Sequence, residues 1–361
     1  MMKKGTEKLV FMMSTKKALG RIPAGRKRKE KSPPVLNLVT GATGRLGRHL
    51  VRALLDMGEK VRVLVRQGEG AQVPEGTEAV YGNIVNRHIL DAAVEDVDYV
   101  YHLAALLDRG ASFEDLLEVN YRGTRNLLDA CLERGYRVAR FVYVSSTAVY
   151  GKELTRMPAD EETETNPTDN YGKSKLLAEE AVMQYADKLP VVILRPAVIY
   201  GPGFNEGFHA VLGALEKGRM CIIGKGDNVI PLVHVRDVVR ALILAAKSEK
   251  ARGRVYNICS HENRTQRQLL EMASRLLGVP APTKCRPKYL VKLQLRIDNL
   301  IARLTGRRPK MVEEYIDVLA SNRLFDITRA KNELGFEPSV KLEEGMAEVV
   351  EEYRKLRGGS R

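Results

Sequence analysis

The stretch from Val35 to Gly47, which reads VLNLVTGATGRLG, restricts the fold more than any other part of the chain. Its apolar first half breaks at Thr40 into a turn that contains Gly41 and Gly44, and an amphipathic segment follows at once. This order predicts a buried strand, a tight turn and the N-terminus of a helix. The first amides of a helix have no partner within it, so they bind anions such as phosphate groups.

The neighbouring sequence strengthens this interpretation. Glycine-rich turns also close ordinary strand–helix junctions, so the glycine pattern alone is a weak signal. Here a second apolar run, Lys60 to Val65, completes a strand–helix–strand unit of about 30 residues. We therefore predict a dinucleotide site at the turn after the first strand.

Length and composition indicate a globular protein. The 361 residues suffice for one large or two modest domains, and 44% of them are apolar, which is enough for a buried core. The four cysteines have no paired spacing, so the sequence predicts neither a zinc site nor a disulfide framework, and we expect no metal. No apolar run approaches the length of a membrane span, and the first residues lack the layout of a secretory signal. We therefore expect a cytoplasmic location.

The net charge of +14 is concentrated in two segments. Residues 1–34 carry eleven Lys or Arg against two Glu, and residues 284–310 carry nine against Asp298, which leaves −3 on the rest of the chain. We therefore expect no nucleic-acid binding through the main body of the protein. Residues 1–34 show no sustained apolar period, which predicts a disordered tail. A targeting segment and a misassigned start of the chain are the alternatives.

Short apolar runs alternate with helical segments from Val35 to Tyr150, which predicts a parallel sheet covered by helices on both faces. The predicted strands are 35–40, 60–65, 79–81, 99–103, 140–145, 191–194 and 255–258. The predicted helices are 44–57, 88–94, 113–134 and 169–188. The predicted organisation is a tail at 1–34, a dinucleotide-binding domain at 35–200 and about 236–259, a smaller substrate lobe at 201–235 and 260–345, and a C-terminal helix and tail at 346–361.

The second basic segment, 284–310, has the spacing of an amphipathic helix. Its apolar positions are Leu290, Leu293, Ile297, Leu300, Ile301 and Leu304. Lys292, Arg296 and Arg303 fall on the opposite face. The preferred interpretation is a helix docked on the core with its charged face in solvent. The alternative is peripheral membrane contact through a surface helix that takes substrate from lipid.

The sequence Tyr171-Gly172-Lys173-Ser174-Lys175 places a phenol and an ammonium group four positions apart on one face of a predicted helix. A tyrosine with an ordinary pKa of about 10 is a poor base near neutral pH. A lysine charge beside it favours the phenolate and lowers its pKa. Tyr171 is therefore the candidate proton donor for carbonyl reduction and the acceptor for the reverse reaction.

Seven pieces of the chain together resemble the extended short-chain dehydrogenase/reductase family. They are TGATGRLG (40–47), HLAA (102–105), VNYRGT (119–124), YVSSTAVYG (143–151), YGKSK (171–175), RPAVIYGPG (195–203) and HVRDVV (234–239). The match runs from about Val35 to the LGFEP stretch at 334–338. It implies an α/β fold, a Rossmann-type doubly wound parallel sheet with a smaller C-terminal substrate-binding lobe. The RPAVIYGPG wording is similar to the branch of dihydroflavonol reductases and 3β-hydroxysteroid dehydrogenases.

The resemblance also implies roles for individual residues. Ser146 would hydrogen-bond the reacting oxygen, Tyr171 would act as the acid/base, and Lys175 would lower its pKa and hold the ribose hydroxyls. Asn120 would either brace the sheet or touch the cofactor. The full set of implied cofactor contacts is Gly41, Thr43, Gly44, Arg45, Leu46, Gly47, Arg66, Asn83, Ile84, Leu103, Ala104, Ala105, Asn120, Tyr171, Lys175 and Pro196.

The residue at the end of the second strand indicates which cofactor is bound. In proteins that use NAD, an acidic side chain there accepts a hydrogen bond from the ribose 2′-hydroxyl. Arg66 stands there instead, and arginine suits a 2′-phosphate. Arg45 in the glycine turn would assist. We therefore expect NADP, with NAD as the alternative. The family often has Asp where Asn83 stands, near the adenine.

Substrate class is read at two positions where relatives that act on nucleotide sugars carry Asn and Arg for the diphosphate. Here they are Val198 and Ile230, and neither can hold a phosphate. These residues speak against a nucleotide-sugar substrate, and the resemblance of RPAVIYGPG to the dihydroflavonol reductase and 3β-hydroxysteroid dehydrogenase branch implies a lipophilic alcohol/ketone pair. The alternatives are a nucleotide-sugar epimerase or dehydratase with tightly bound NAD, and a non-catalytic NADP-binding protein. The resemblance further implies a homodimer through helices 113–134 and 169–188.

Overall fold

The computed structural model describes residues 35–66, 68, 72–107, 110–133, 138–204, 206–306 and 313–358. The predicted tail of residues 1–34 lies outside the described residues, as do residues 307–310 of the second basic segment. The strands are β1 (Leu36–Thr40), β2 (Lys60–Val65), β3 (Glu78–Tyr81), β4 (Tyr99–His102), β5 (Arg140–Val144), β6 (Val191–Pro196), β7 (Val198–Tyr200), β8 (Ile222–Ile223), β9 (Leu232–His234), β10 (Arg254–Ile258) and β11 (Cys285–Arg286).

Seven of these strands form one parallel sheet in the order β10-β6-β5-β4-β1-β2-β3. They are the seven strands that the sequence predicts, so the predicted doubly wound sheet is confirmed. The order reverses between β1 and β4, where Thr40 is in register with His102. A ligand crevice forms outside the carboxyl ends of the strands at such a reversal. The glycine turn of the opening stretch lies there.

The helices are α1 (Arg45–Asp56), α2 (Arg87–Val94), α3 (Phe113–Leu117), α4 (Gly123–Glu133), α5 (Asn170–Gln184), α6 (Glu206–Glu216), α7 (Val235–Lys247), α8 (Gln266–Leu277), α9 (Lys288–Leu304), α10 (Glu313–Ala320), α11 (Thr328–Leu334) and α12 (Leu342–Gly358). The single helix predicted over 113–134 was wrong in detail, because a π-helical turn, Glu118–Arg122, separates α3 from α4. The extra residue of this wider turn accompanies a buried Asn120 that bonds away from the helix.

Two apolar clusters cover the two faces of the sheet. One contains Val39 of β1 with Leu50 of α1 and Leu242 of α7. The other contains Leu38 of β1 with residues of α2, α4 and α5. Successive side chains of a strand point to opposite faces, so neighbouring residues of β1 enter different clusters. The helices therefore cover both faces, as the alternating sequence predicts.

A third apolar cluster joins α6, α8 and α12 to the short parallel pair β7–β9. It forms the core of the lobe beside the sheet. The sequence pattern does not predict these short strands. Helix α12 begins at Leu342, so the expected boundary at 345/346 falls inside one helix.

Helix α9 was predicted to bury its apolar face, and this was wrong. Residues such as Leu293 and Leu300 are exposed, whereas the side chains of Val291 and Leu295 lie on the partly buried face. The helix packs against α10, its neighbour along the chain. In the part of the chain that the structure describes, no helix is both long and apolar enough to cross a membrane.

Candidate active site

The turn after β1 brings the backbone of two strand ends close together. Gly41 has φ +70°, and a Cβ there would lie 2.8 Å from the Ala104 nitrogen. A Cβ at Gly47 would lie 2.1 Å from the Gly41 oxygen, so this first turn of α1 also packs without room for a side chain. The structure therefore requires glycine at both positions.

Helix α1 begins beside this turn and directs its N-terminus toward it. Its N-cap residue is Gly44, which supplies no side-chain cap, and its first turn contains no acidic residue. Unpaired amides and the positive end of the helix dipole favour a phosphate group here. The turn therefore fits the pyrophosphate of a dinucleotide, which would lie against backbone rather than side chains.

A buried chain of hydrogen bonds fixes the strand end opposite the turn. The Ala104 amide donates to Thr40 Oγ1 at 3.2 Å, and Thr40 Oγ1 lies 2.7 Å from His102 Nδ1. His102 Nε2 lies 2.9 Å from Thr124 Oγ1, which donates to the Asn120 carbonyl at 2.6 Å. Because the Thr124 hydrogen is used there, His102 must donate from Nε2 and accept at Nδ1. Burial lowers the pKa of His102 to about 3, so the ring stays neutral.

Asn120 joins the loop after β4 to helix α5. Its Oδ1 accepts from the Leu106 amide at 2.7 Å, and its Nδ2 donates to the Leu106 carbonyl at 3.1 Å and to Ser174 Oγ at 2.9 Å. Ser174 Oγ in turn donates to the Tyr171 carbonyl at 2.8 Å. Of the two roles that the sequence leaves open for Asn120, this geometry supports bracing. Ser174 lies within the YGKSK motif, but sequence reasoning did not select it.

Ser146 and Tyr171 lie on two elements that are in backbone contact. Ser146 follows β5 and caps the short 3₁₀ turn Thr147–Tyr150, accepting from the Ala148 amide at 3.1 Å. Tyr171 is 8% exposed in the first turn of α5. A Cβ at the next residue, Gly172, would lie 2.7 Å from the Ala148 carbonyl oxygen. Gly172 therefore lets α5 approach the turn that carries Ser146.

Lys175 lies one helical turn beyond Tyr171 and is buried. Its Nζ donates to the Val144 carbonyl at 2.7 Å and lies 4.1 Å from the centre of the Tyr143 ring. Burial lowers the pKa of Lys175 to about 7, although the charge of Glu179 opposes the shift. The lysine is thus anchored to the end of β5 and is easily deprotonated.

The turn after Ser146 is held from the other side by an ion pair that sequence reasoning missed. Arg195 Nη2 lies 2.6 Å from Glu179 Oε2, and Arg195 Nη1 donates to Tyr150 Oη at 2.8 Å. Tyr150 Oη also lies 2.9 Å from Asn257 Oδ1. Arg195 and Tyr150 belong to two of the quoted motifs, which is the signal that could have identified them.

The other predicted cofactor residues lie around the same edge. Arg66 follows β2, is exposed, and makes no hydrogen bond or ion pair with the described residues. Arg45 lies over the Phe204 ring at 5.6 Å. The Thr43 carbonyl accepts from the Arg48 side chain, and Leu46 packs on the apolar core. The Asn83 side chain accepts from the Val85 amide, and Ile84 lies against Gly123. Leu103 and Ala105 flank Ala104, and Pro196 is buried at the end of β6.

Val198 and Ile230 both belong to the apolar part of the lobe. Val198 is in β7 and packs against the lobe core, and Ile230 is 6% exposed within it. In the described ranges, no three His, Cys, Asp or Glu side chains come together as a metal site would need.

Replacing Gly172 by Ala tests the contact between α5 and the Ser146 turn. Alanine usually stabilises a helix relative to glycine, but here the new methyl group would overlap the Ala148 carbonyl. We expect a loss of about 1–3 kcal/mol in the free energy of unfolding, together with lower turnover. Urea unfolding followed by circular dichroism measures the first effect. Gly213→Ala in α6, where the new Cβ meets Tyr353 Oη at an ordinary 3.4 Å, is the matched control. If Gly172→Ala and Gly213→Ala lowered the free energy of unfolding equally, the close contact between Gly172 and Ala148 would be contradicted.

The lowered pKa of Lys175 predicts a pH dependence of stability. Between a folded pKa of about 7 and an ordinary value of 10.5, the unfolded chain holds a proton that the folded chain has released. Stability therefore rises with pH in this window through Lys175. We expect the unfolding free energy of the wild type, relative to Lys175→Met, to be larger at pH 9 than at pH 7. An unchanged difference would show that the lysine is not desolvated.

Comparison with known proteins shows which family the chain resembles. The sequence model of the NAD dependent epimerase/dehydratase family matches residues 37–259. Sterol demethylase protein B of Methylococcus capsulatus is 34% identical over 315 residues, which cover 84% of this chain and 93% of that protein. Human sterol-4-alpha-carboxylate 3-dehydrogenase, decarboxylating, is 27% identical over 333 residues, 88% of each chain. The structure of MoeE5 in complex with UDP-glucose and NAD is 28% identical, has a TM-score of 0.70, and covers 89% of this chain and 99% of its own.

The resemblance inferred from the seven motifs is thereby confirmed, and so is the prediction of an enzyme. The family match covers the whole parallel sheet, from β1 to β10. The chain belongs to the NAD dependent epimerase/dehydratase family, a family of enzymes within the extended short-chain dehydrogenases/reductases.

Proposed function

We propose that the protein is an NADP-dependent oxidoreductase that moves a hydride between the nicotinamide and a lipophilic alcohol/ketone pair. The observation that carries the substrate class is the placement of Val198 and Ile230 in the apolar core of the lobe. A phosphate that loses its water needs hydrogen bonds or an opposite charge in return, and an apolar side chain offers neither. The names of the two sterol-related relatives support the same class.

Several residues would hold the cofactor. The glycine turn and the first amides of α1 would bind the pyrophosphate, and Lys175 would bind the ribose hydroxyls. Arg66, with Arg45, would bind the 2′-phosphate that distinguishes NADP from NAD. When bound, the cofactor would supply a hydride as NADPH or accept one as NADP⁺.

Residues of the protein itself carry out the proton transfer. Tyr171 Oη donates a proton to the carbonyl oxygen during reduction and takes it back from the alcohol during oxidation. The Ser146 hydroxyl donates a hydrogen bond to the same oxygen. The charge of Lys175, present below its pKa of about 7, favours the phenolate of Tyr171. The contact at Gly172 keeps the serine and the tyrosine on adjoining elements.

A second function is nucleotide-sugar epimerisation with tightly bound NAD. It would use the same serine, tyrosine and lysine, and the likeness to MoeE5 with UDP-glucose and NAD favours it. The dehydratase form is less well supported, since Thr147 and Ala148 stand where dehydratases use an acidic pair. The apolar side chains of Val198 and Ile230 argue against both the epimerase and the dehydratase, because neither can bind the diphosphate of a nucleotide sugar.

A thermal-shift screen distinguishes these functions, because a ligand that binds only the folded state raises the melting temperature. The ligands are NADP, NAD, UDP-glucose and a hydrophobic ketone such as a 3-oxosteroid. We expect stabilisation by NADP, and further stabilisation when the ketone is added. Stabilisation by NAD and UDP-glucose alone would support the epimerase instead.

We also propose a cytoplasmic homodimer built from α4 and α5. These helices pack against each other on one face of the sheet. The chain has a mass of 40.4 kDa, so light scattering at high concentration should give about twice that value. A mass equal to one chain would contradict the dimer.

A further inference from the structure

Helix α9 carries a row of large apolar side chains that face solvent, which we call the apolar stripe. Its members are 42–78% exposed, and they are Tyr289, Leu290, Leu293, Ile297, Leu300, Ile301 and Leu304. Val291, Leu295 and Asn299 lie on a different face of the helix and are only partly exposed. A solvent-facing row of seven large apolar residues on one helix marks an interaction surface rather than scattered surface residues.

Basic side chains lie on the other face of α9, toward α10. Lys288 Nζ and Lys292 Nζ lie 2.8 and 2.7 Å from Asp317 Oδ1, and Lys152 Nζ lies 2.6 Å from Asp317 Oδ2. Three ammonium groups thus share one carboxylate, which leaves a local surplus of two positive charges. These contacts hold the pKa of Asp317 far below its usual range, so the carboxylate stays charged.

The surroundings of α9 extend this surplus. Arg296 is paired with Glu313, but Lys284 and Arg286 add further exposed charge before the helix. The whole segment 284–310 carries nine basic residues against one acidic residue. A second copy of the chain placed on the apolar stripe would bring two such segments together, and their repulsion opposes this arrangement.

A lipid surface fits both features. An amphipathic helix with one apolar face and a polar face rich in Lys and Arg lies in the plane of a membrane and is drawn to anionic headgroups. Helix α9 has 17 residues, about 25 Å of helix, and Tyr289 stands at one end of the stripe, where aromatic rings favour the headgroup level. We propose that the apolar stripe of α9 binds the surface of an anionic lipid bilayer, with its apolar side chains among the upper acyl chains.

The surface is connected to the catalytic side of the protein. Lys152, whose Nζ donates to Asp317, lies only two residues after the 3₁₀ turn that is capped by Ser146. A membrane-bound α9 would thus lie next to the segment that leaves this turn. The proposed interaction needs neither cofactor nor substrate, so its test is independent of the proposed reaction.

The absence of tryptophan from the chain allows a direct measurement. We would introduce one fluorophore as Leu300→Trp in the apolar stripe, and a matched one as Leu356→Trp in α12, where the leucine is equally exposed at 57%. The full chain is mixed with vesicles of phosphatidylcholine alone or with added phosphatidylglycerol. We expect a blue shift of the Leu300→Trp emission with the anionic vesicles only, and no shift for Leu356→Trp.

Co-sedimentation with the same vesicles gives a second test. The double variant Leu293→Glu/Ile297→Glu should lower the bound fraction by about tenfold or more, whereas Leu356→Glu should not. Any binding through the basic residues 1–34 would be the same in both glutamate variants, so the difference between them reports the apolar stripe. The proposal is overturned if Leu300→Trp shows no shift with anionic vesicles, or if its shift occurs without lipid and accompanies a doubling of mass. Equal sedimentation of the two glutamate variants would also overturn it.

Discussion

Tyr171→Phe is expected to bind NADP as tightly as the wild type and to lose about 10²–10⁴-fold in turnover. The change removes one hydroxyl from a side chain that is nearly buried in the first turn of α5. The ring keeps its packing, and the backbone contact of Gly172 with Ala148 is untouched. The hydroxyl that is lost is the one proposed to transfer the proton to the reacting oxygen. Steady-state kinetics and a cofactor titration measure the two effects separately.

The matched control is Tyr353→Phe in α12, which removes a hydroxyl that bonds Glu216 at 2.9 Å in the lobe. We expect it to keep full turnover. A Tyr171→Phe enzyme that turned over within a few-fold of the wild type would show that another group carries the proton. Weaker cofactor binding in the same variant would instead indicate a structural role for the phenol.

Arg66→Asp is expected to reverse the choice of cofactor. Hydrogen bonds to a charged group contribute about 1.5–3 kcal/mol, so loss of the arginine should lower kcat/KM for NADP by about 10–150-fold. The introduced carboxylate repels a 2′-phosphate and can accept from a 2′-hydroxyl, so kcat/KM for NAD should rise. Arg66 is exposed and makes no ion pair with the described residues, so stability should not change.

Arg219→Asp provides the same change of charge at an exposed position of the lobe. It should leave the ratio of the two kcat/KM values unaltered. A wild-type preference for NAD, or an unchanged ratio in Arg66→Asp, would show that Arg66 is only a surface residue at a strand end.

The sheet could be predicted from the sequence because its strands are apolar runs separated by helical segments. Residues Leu36–Thr40 and Val191–Pro196 are buried on both faces, and such strands leave a continuous pattern. The lobe strands Val198–Tyr200 and Leu232–His234 have only three residues each. So short a run has no readable period, and these strands form because they pair with each other beside the lobe core.

Helix α9 shows a different limit of the sequence. Its amphipathic period was correctly recognised, but the period alone does not say which face packs. The usual rule buries the apolar face of a helix. Here the side with Val291 and Leu295 is the partly buried one instead, and Lys288 and Lys292 are held by Asp317 of α10. That choice depends on where α10 packs and on the position of Asp317, which the pattern within α9 does not show.

In the candidate site, the motifs identified residue types, and the structure adds what holds them. No pattern in the sequence shows that Lys175 donates to the Val144 carbonyl, or that burial lowers its pKa to about 7. The bracing by Asn120 through Ser174 likewise depends on a π-helical turn that local sequence does not predict. Such properties arise only when α5 packs on the end of β5.

The most direct test of the proposed reaction is the absorbance of the reduced nicotinamide at about 340 nm during turnover. The wild type would be mixed with NADPH and a panel of hydrophobic ketones, with Tyr171→Phe measured in parallel. We predict a net decrease in absorbance that is proportional to the alcohol formed and is lost in the variant. Conversion of a UDP-sugar with no net change in absorbance would contradict the account and identify the protein as an epimerase.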